Sequence, residues 1–235
     1  MINNSDSQKE TLRLNALLKY EILDTEEEQV FNDLAKITSQ ICQTPIALVN
    51  LLDSSRQWFK AKVGIQIQET PRELSFCTHA IQQDEIFEIE DATQDARFSQ
   101  NPYVTGEPYV RFYAGMPLKT PQGYNIGTLC VIDTKKRKLS DAQKLALRTL
   151  AQQVIFQLEL RRNQKELEKE ISKNKFLYLD LNSVKQEQLQ KIYESINLAK
   201  EAMQEQQDIL RNFFEKKEPE SKNDKDLFYE SIKNR

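Results

Sequence analysis

Two short stretches carry side chains whose type and spacing could do chemistry: Ser75-Phe76-Cys77-Thr78-His79 and Arg111-Phe112-Tyr113. Ser75 reads as the cap of a short helix over 75–81, and a thiol near a helix start is favoured as thiolate by the partial positive charge there. His79 is the single histidine of the chain and follows Cys77 by two residues. On a helix, residues i and i+2 do not face each other, so the two do not form a ready nucleophile and base. Cys77 is expected to be partly accessible and more reactive than Cys42 and Cys130, which lie in apolar runs and read as buried small hydrophobes. Arg111 and Tyr113 stand two apart, hence on one face of a strand, with Phe112 and Ala114 on the other. A guanidinium and a phenol sharing a face can line a pocket. The same pair also fits a salt-bridged arginine and a core tyrosine with its hydroxyl satisfied.

These residues need a sheet to hold them. The run from Arg111 to Asp133 reads as two strands joined at Pro121-Gln122-Gly123-Tyr124, where Pro and Gly supply the dihedrals of a turn. Ile126, Leu129, Val131 and Ile132 fit a central strand buried on both faces. Pro45 to Asp53 and Arg56 to Val63 read as a first hairpin, and Ile86 to Asp91 as another strand. Gly64 to Leu74 reads as loop. Asp91 to Pro108 is a connection long enough to be a functional loop or lid. On the helical side, Thr11 to Tyr20 and a stripe of Val30, Phe31, Leu34, Ile37, Thr38 and Ile41 have helical spacing. Asp24 or Thr25 is placed to cap the second helix, with Glu26, Glu27 and Glu28 in its first turn. A further helix starts at Ser140 and carries Leu147, Ala151, Val154 and Leu158.

Composition limits the function classes. With 39% hydrophobic and 29% charged residues among 235, a packed core cannot occupy the whole chain. A net charge of -3 gives no footprint for a nucleic-acid binder, and the run Lys135 to Lys138 has no interleaved aromatics. Apolar runs fall short of the roughly 20 residues that span a membrane, and Met1 to Glu10 is too polar for a signal peptide, so a cytoplasmic protein is expected. Three widely spaced cysteines and one histidine offer no ordinary zinc set.

From Arg161 the chain is Glu, Lys and Gln with sparse apolar residues. Leu189, Ile192, Ile196, Ala199, Met203, Gln206, Leu210 and Phe213 repeat at three/four spacing, the seam of a coiled coil with one polar position. Such a stripe needs a partner helix, either from a second copy in parallel or from the chain folding back near Phe176 to Ser183. A parallel homodimer is the expectation adopted. The domain organisation is read as a disordered 1–9, a sensor domain at 10–162, a coiled-coil helix at 163–214 and a disordered charged tail at 215–235.

An ordered series of motifs runs through this frame: Tyr20-Glu21-Ile22-Leu23-Asp24-Thr25, Arg56-Gln57-Trp58-Phe59-Lys60-Ala61, Glu69-Thr70-Pro71-Arg72, Ser75-Phe76-Cys77-Thr78-His79-Ala80, Asp95-Ala96-Arg97-Phe98, Asn101-Pro102, Arg111-Phe112-Tyr113-Ala114-Gly115 and Gly127-Thr128-Leu129-Cys130-Val131-Ile132-Asp133. The series closely resembles a bacterial subfamily of GAF sensor domains that stands at the N-terminus of histidine kinases and diguanylate cyclases. The resemblance covers residues 10–162. It implies an α+β fold, a central antiparallel sheet flanked by helices, with a ligand pocket between the sheet and the long loop. Candidate walls are then Trp58, Phe76 and Tyr113. Candidate polar points are Arg72, Ser75, His79, Asp95, Arg97 and Arg111, with Cys77 beside them. Asp91, Asp95 and Arg97 also fit a purely local role as staples of the loop, and one of Trp58 and Phe59 must be core because they alternate.

Bilin-binding members carry a Cys-His pair in the lid, and 95–111 holds neither residue. The Asn-Lys-Phe of cyclic-nucleotide binders occurs only at Asn174-Lys175-Phe176, outside the domain. The cofactor is therefore unknown, with bilin and zinc set aside. The leading expectation is a non-enzymatic sensory module for an unidentified small molecule or a redox signal. It would act through a dimeric coiled coil on a separate output protein, with no nucleic acid or membrane partner. The five glycines form no nucleotide loop, and His79 lies outside any kinase phosphoacceptor position. Two alternatives stand beside it: a thiol-dependent reductase, as in the free methionine sulfoxide reductases that are also GAF domains, and a structural dimerisation adaptor.

Overall fold

The computed structural model describes residues 4–179 and 184–215. In chain order its elements are α1 (Asn4–Leu18), α2 (Gln29–Cys42), β1 (Ile46–Leu52), β2 (Arg56–Val63), β3 (Glu69–Pro71), a 3-10 turn at Arg72–Leu74, α3 (Cys77–Ala80), β4 (Phe87–Ile89), α4 (Pro102–Thr105), β5 (Phe112–Lys119), β6 (Asn125–Asp133), α5 (Asp141–Leu179) and α6 (Val184–Glu215). The chain divides into a compact unit ending at Glu168 and a second beginning at Lys169.

The first unit is built on one sheet in the order β3-β2-β1-β6-β5-β4, every neighbouring pair antiparallel. β6 pairs with both β1 and β5, which is why its sequence is apolar at nearly every position: neither face nor edge meets water. The α+β architecture expected from the sequence is thus observed. The stretch 64–74 is not all loop. It contains β3, an edge strand of three residues ending at Pro71, too short and too polar to show a period.

Alternation along the strands splits the core in two. One face carries Val49, Leu51, Trp58, Phe112, Ala114, Leu129 and Val131 against α1, α2 and α5, whose inward residues include Leu17, Phe31, Ala35, Leu147, Val154 and Leu158. The opposite face carries Leu48, Phe59, Tyr113 and Cys130 beneath α3 and the 91–110 segment. The sheet therefore separates a helix-covered face from a loop-covered one.

Two local expectations need correction. The buried stripe of α2 is Phe31, Ala35, Thr38 and Cys42, whereas Val30, Ile37 and Ile41 are exposed. Its cap is neither Asp24, which pairs with Arg56 at 2.6 Å, nor Thr25, which with Glu28 serves a stronger electrostatic demand. The side chain of Lys60 on β2 is fully buried, and its Nζ donates to Glu28 Oε1 (2.7 Å), Thr25 Oγ1 (3.0 Å) and the Glu26 carbonyl (2.6 Å). An unpaired buried ammonium would be costly, so the segment before α2 folds around it. Ser140 does cap α5: its Oγ accepts from the Gln143 N–H, and Gln143 Oε1 accepts from the Ser140 N–H.

The helix α1 reaches back to Asn4, into the stretch read as disordered. It is fastened at Glu10, which accepts from Arg13 at 2.7 Å and from Arg72 at 2.6 Å, while Arg13 donates to the Leu52 carbonyl and Arg72 to that of Asp53. Burial raises the Glu10 pKa, but the hydrogen bonds and charges of Arg13 and Arg72 outweigh it and bring it to about 2. A depressed folded-state pKa contributes stability that is complete above the unfolded value of 4.5 and lost as pH falls toward 2. With 35% of the side chain exposed, screening limits the effect to about 1 kcal/mol. Glu10→Gln should therefore lower stability by that amount at neutral pH and leave it unchanged near pH 2, as read by urea unfolding at both. An equal loss at both pH values would show that the carboxylate charge is irrelevant.

In the second unit, α6 leaves Ile192, Ile196 and Met203 exposed, together with Tyr193, Leu198 and Ile209. Of the break read at 176–183, residues 176–179 continue α5, while 180–183 and the tail at 216–235 lie outside the described residues. No helix among the described residues is long and apolar enough to cross a membrane.

Candidate functional site

On the loop-covered face lies a cavity of about 90 Å³. Its floor is Ile46, Leu48, Phe59 and Tyr113 on the strands, and its rim includes Ser75, Phe76 and Cys77 from the segment leading into α3. Tyr103, Pro108 and Val110 of the long connection close it. The lining is almost wholly apolar, as a small-molecule pocket requires, with Gln57 and Ser75 as polar points. Ser75 Oγ donates to Gln57 Oε1 and accepts the Cys77 N–H at 3.0 Å; the helix begins at Cys77 with Phe76, not the expected Ser75, at its cap position, so Ser75 serves as a wall of the cavity just before it.

Behind the cavity is a buried polar knot. Cys77 Sγ accepts from the Tyr113 hydroxyl and the Thr128 hydroxyl, both at 3.2 Å, and from Asn50 Nδ2 at 3.4 Å. Asn50 Nδ2 also reaches Thr128 Oγ1 at 2.8 Å and Cys130 Sγ at 3.4 Å, and the two sulfurs stand 3.9 Å apart. The register explains this gathering, since β1 and β6 place Asn50 opposite Thr128 and Leu48 opposite Cys130. Burial pushes the Cys77 thiol up, but hydrogen bonds from Cys130, Thr128, Tyr113 and Ser75 pull it below the ordinary thiol range. Burial first, then the charges of the cysteines, push Tyr113 up, and burial with Cys77 does the same to Cys130. Cys77 is therefore the sulfur best placed to carry negative charge.

The geometry also explains the Tyr-Ala-Gly spacing. Tyr113 lies along its own strand over Gly115, where an added Cβ would overlap the hydroxyl and stand 2.8 Å from the ring Cζ. A glycine two residues on lets the phenol lie flat and reach Cys77. Phe76 stacks between Phe98 (centroids 4.2 Å) and Tyr113 (5.3 Å), joining the lid to the sheet.

The residues singled out from the sequence are only partly brought together. Ser75, Phe76, Cys77 and Tyr113 line the cavity. Trp58 does not: the alternation of β2 sends it into the helix-facing core and turns Phe59 to the cavity instead. Arg111 does not point into the space. Its Nη1 donates to the carbonyls of Val104 (2.8 Å) and Val110 (3.0 Å), so it clamps the lid from behind. Asp95 and Arg97 pair at 2.6 Å within one turn of the loop, with the Arg97 guanidinium 4.8 Å from the Phe87 ring, and act as a staple. His79 packs edge-on against Phe98 at 4.9 Å, and burial together with nearby Arg97 holds its pKa down, so it stays neutral. Arg72 belongs to the α1 fastening. The expectation of an accessible Cys77 fails as well: it is 2% exposed, because α3 and the Phe76 stack roof it over, and Cys42 and Cys130 are also buried. The Cys77–Cys130 juxtaposition, Phe59 and Val110 had not been singled out.

Residues 26–158, more than half of the chain, match the GAF domain family, and the chain belongs to that family. It is 50% identical over 116 residues to a cyclic di-GMP phosphodiesterase of Pseudomonas aeruginosa, a match that takes in 49% of this chain and 20% of that protein. The chain thus spans about a fifth of the length of the curated relative it matches. A GAF domain of a phosphoenolpyruvate-protein phosphotransferase from Coxiella burnetii superposes with a TM-score of 0.51 at 13% identity, over 70% of this chain and 99% of that one, which bears on the fold alone. The expectation of a non-enzymatic protein is overturned by the first match, because a relative at 50% identity is named for an enzymatic activity. What the family establishes for this chain is a GAF sensory domain.

Proposed function

We propose that the cavity holds a small, largely apolar molecule, and that its presence is passed across the sheet to α5 and from there to an output protein through a paired coiled coil. The observation that carries this reading is the two-sided sheet. Tyr113 and Leu48 on the cavity face alternate with Ala114 and Val49, which pack in the same core as Leu147, Ala151, Val154 and Leu158 of α5. Strand shifts that accommodate a ligand on one face must reposition what rests on the other, because a packed core does not deform continuously. That a relative sharing this stretch is named a cyclic di-GMP phosphodiesterase supports a place in signalling.

Pairing as a parallel homodimer is supported by the apolar residues that α6 exposes at Ile192, Ile196 and Met203, and by Phe156 and Leu160 left exposed on α5. Sedimentation of the full chain and of a version ending at Arg162 tests it. The expected result is a full-length dimer that becomes a monomer on truncation. A monomeric full chain removes the coiled-coil relay, and a dimer that survives truncation moves the interface to the GAF domain and the start of α5. Native mass spectrometry of the full chain as isolated from cells tests the ligand: a retained small molecule is expected.

A further inference from the structure

We propose that Cys77 and Cys130 are a dithiol pair that a small hydroperoxide, entering through the cavity, oxidises to a disulfide. Three observations converge on it. The sulfurs are 3.9 Å apart although the residues are 53 apart in sequence, Cys77 in α3 and Cys130 in β6. Cys77 is among the residues lining the cavity, which gives a small hydroperoxide a route toward a sulfur that is otherwise roofed over. The Tyr113 and Thr128 hydroxyls aim at that sulfur and stabilise its thiolate.

The chemistry balances without any further reactant. The Cys77 thiolate attacks one peroxide oxygen and the O–O bond breaks, leaving a sulfenic acid on Cys77 and releasing hydroxide, which takes up a proton as water. Cys130 sulfur then attacks Cys77 sulfur, the S–O bond breaks, and the departing hydroxide takes the Cys130 proton as a second water. Two thiols are oxidised by two electrons and one peroxide is reduced. Closing to bonding distance moves the sulfurs together by about 2 Å. The mobile partner is α3, a single turn of four residues, because Cys130 is fixed between two strands. Tyr113 and Thr128 then lose their acceptor, and the cavity wall shifts. The inference rests on the reading of this cavity as the sensing site, and its signal is a small polar oxidant distinct from the largely apolar ligand proposed above.

The full chain is treated with hydrogen peroxide, its remaining thiols are blocked, and the digest is mapped by mass spectrometry. Of three thiols, one is expected to remain, that of Cys42, and one linked peptide should join Cys77 to Cys130. In Cys130→Ser the same treatment should stop at a Cys77 sulfenic acid that a dimedone probe captures. Three unreacted thiols, oxidation first at Cys42, or cross-links only between chains would overturn the proposal, and the unsubstituted chain decides the matter if Cys130→Ser does not fold. A disulfide that forms without any change in hydrogen exchange at α5 keeps the inference and removes the relay. A retained cavity ligand with no disulfide does the reverse.

Discussion

Gly127→Ala is expected to abolish folding of the first unit. Gly127 lies on β6, the strand hydrogen-bonded on both sides, opposite Leu51 of β1. A Cβ there would overlap the Asn50 carbonyl oxygen and come within 3.0 Å of the Leu51 Cα. Both are backbone atoms of a central strand, so no side chain can swing away to make room. Relief requires β1 and β6 to separate, which would break the Asn50–Thr128 register and expose the core on both faces. The loss should exceed about 4 kcal/mol, beyond the ordinary range for a single methyl, and circular dichroism with urea titration would read it as an unfolded or insoluble chain. A variant that unfolds within about 1 kcal/mol of the parent would show that the strands do not approach this closely.

The second large effect concerns the cavity floor. Tyr113 is fully buried, stacks against Phe76 and donates to Cys77. Tyr113→Ala removes an aromatic ring from a packed site and should cost about 4 kcal/mol. Tyr113→Phe keeps the ring and removes only one donor to sulfur, at about 1 kcal/mol. The two variants separate packing from polarity: equal losses would mean that the hydroxyl, rather than the ring, holds the floor in place.

How much of this was readable beforehand depended on whether the determining interaction was local. Periodicity within one strand was enough to place β6 in the middle of the sheet and to put Tyr113 on the face opposite Phe112. It could not decide which of Trp58 and Phe59 faces the cavity, since that depends on how β2 meets β1, and the pairing shifts at a bulge between Val49 and Asn50. Arg72 and Arg111 looked like binding groups because a lone arginine does not reveal its acceptor. Their acceptors are Glu10 and Asp53, and the lid carbonyls of Val104 and Val110. Cys77 looked accessible because it lies outside an apolar run, but its burial comes from Phe76 and Phe98 stacking above it. Lys60 was part of a recognised motif, yet that it is buried, and therefore that Glu28 is recruited away from helix capping, follows only from the packing of α2 on β2.

Signalling through α5 requires communication between the two faces of one sheet, and hydrogen–deuterium exchange of the full chain measures it directly. Val110→Phe fills the cavity from its lid without touching α5. Exchange at Leu147 to Leu158, on the far side of the sheet, should then change several-fold relative to the parent chain. A change confined to α3 and residues 91–110, with α5 untouched, would contradict a sensor that signals through this helix.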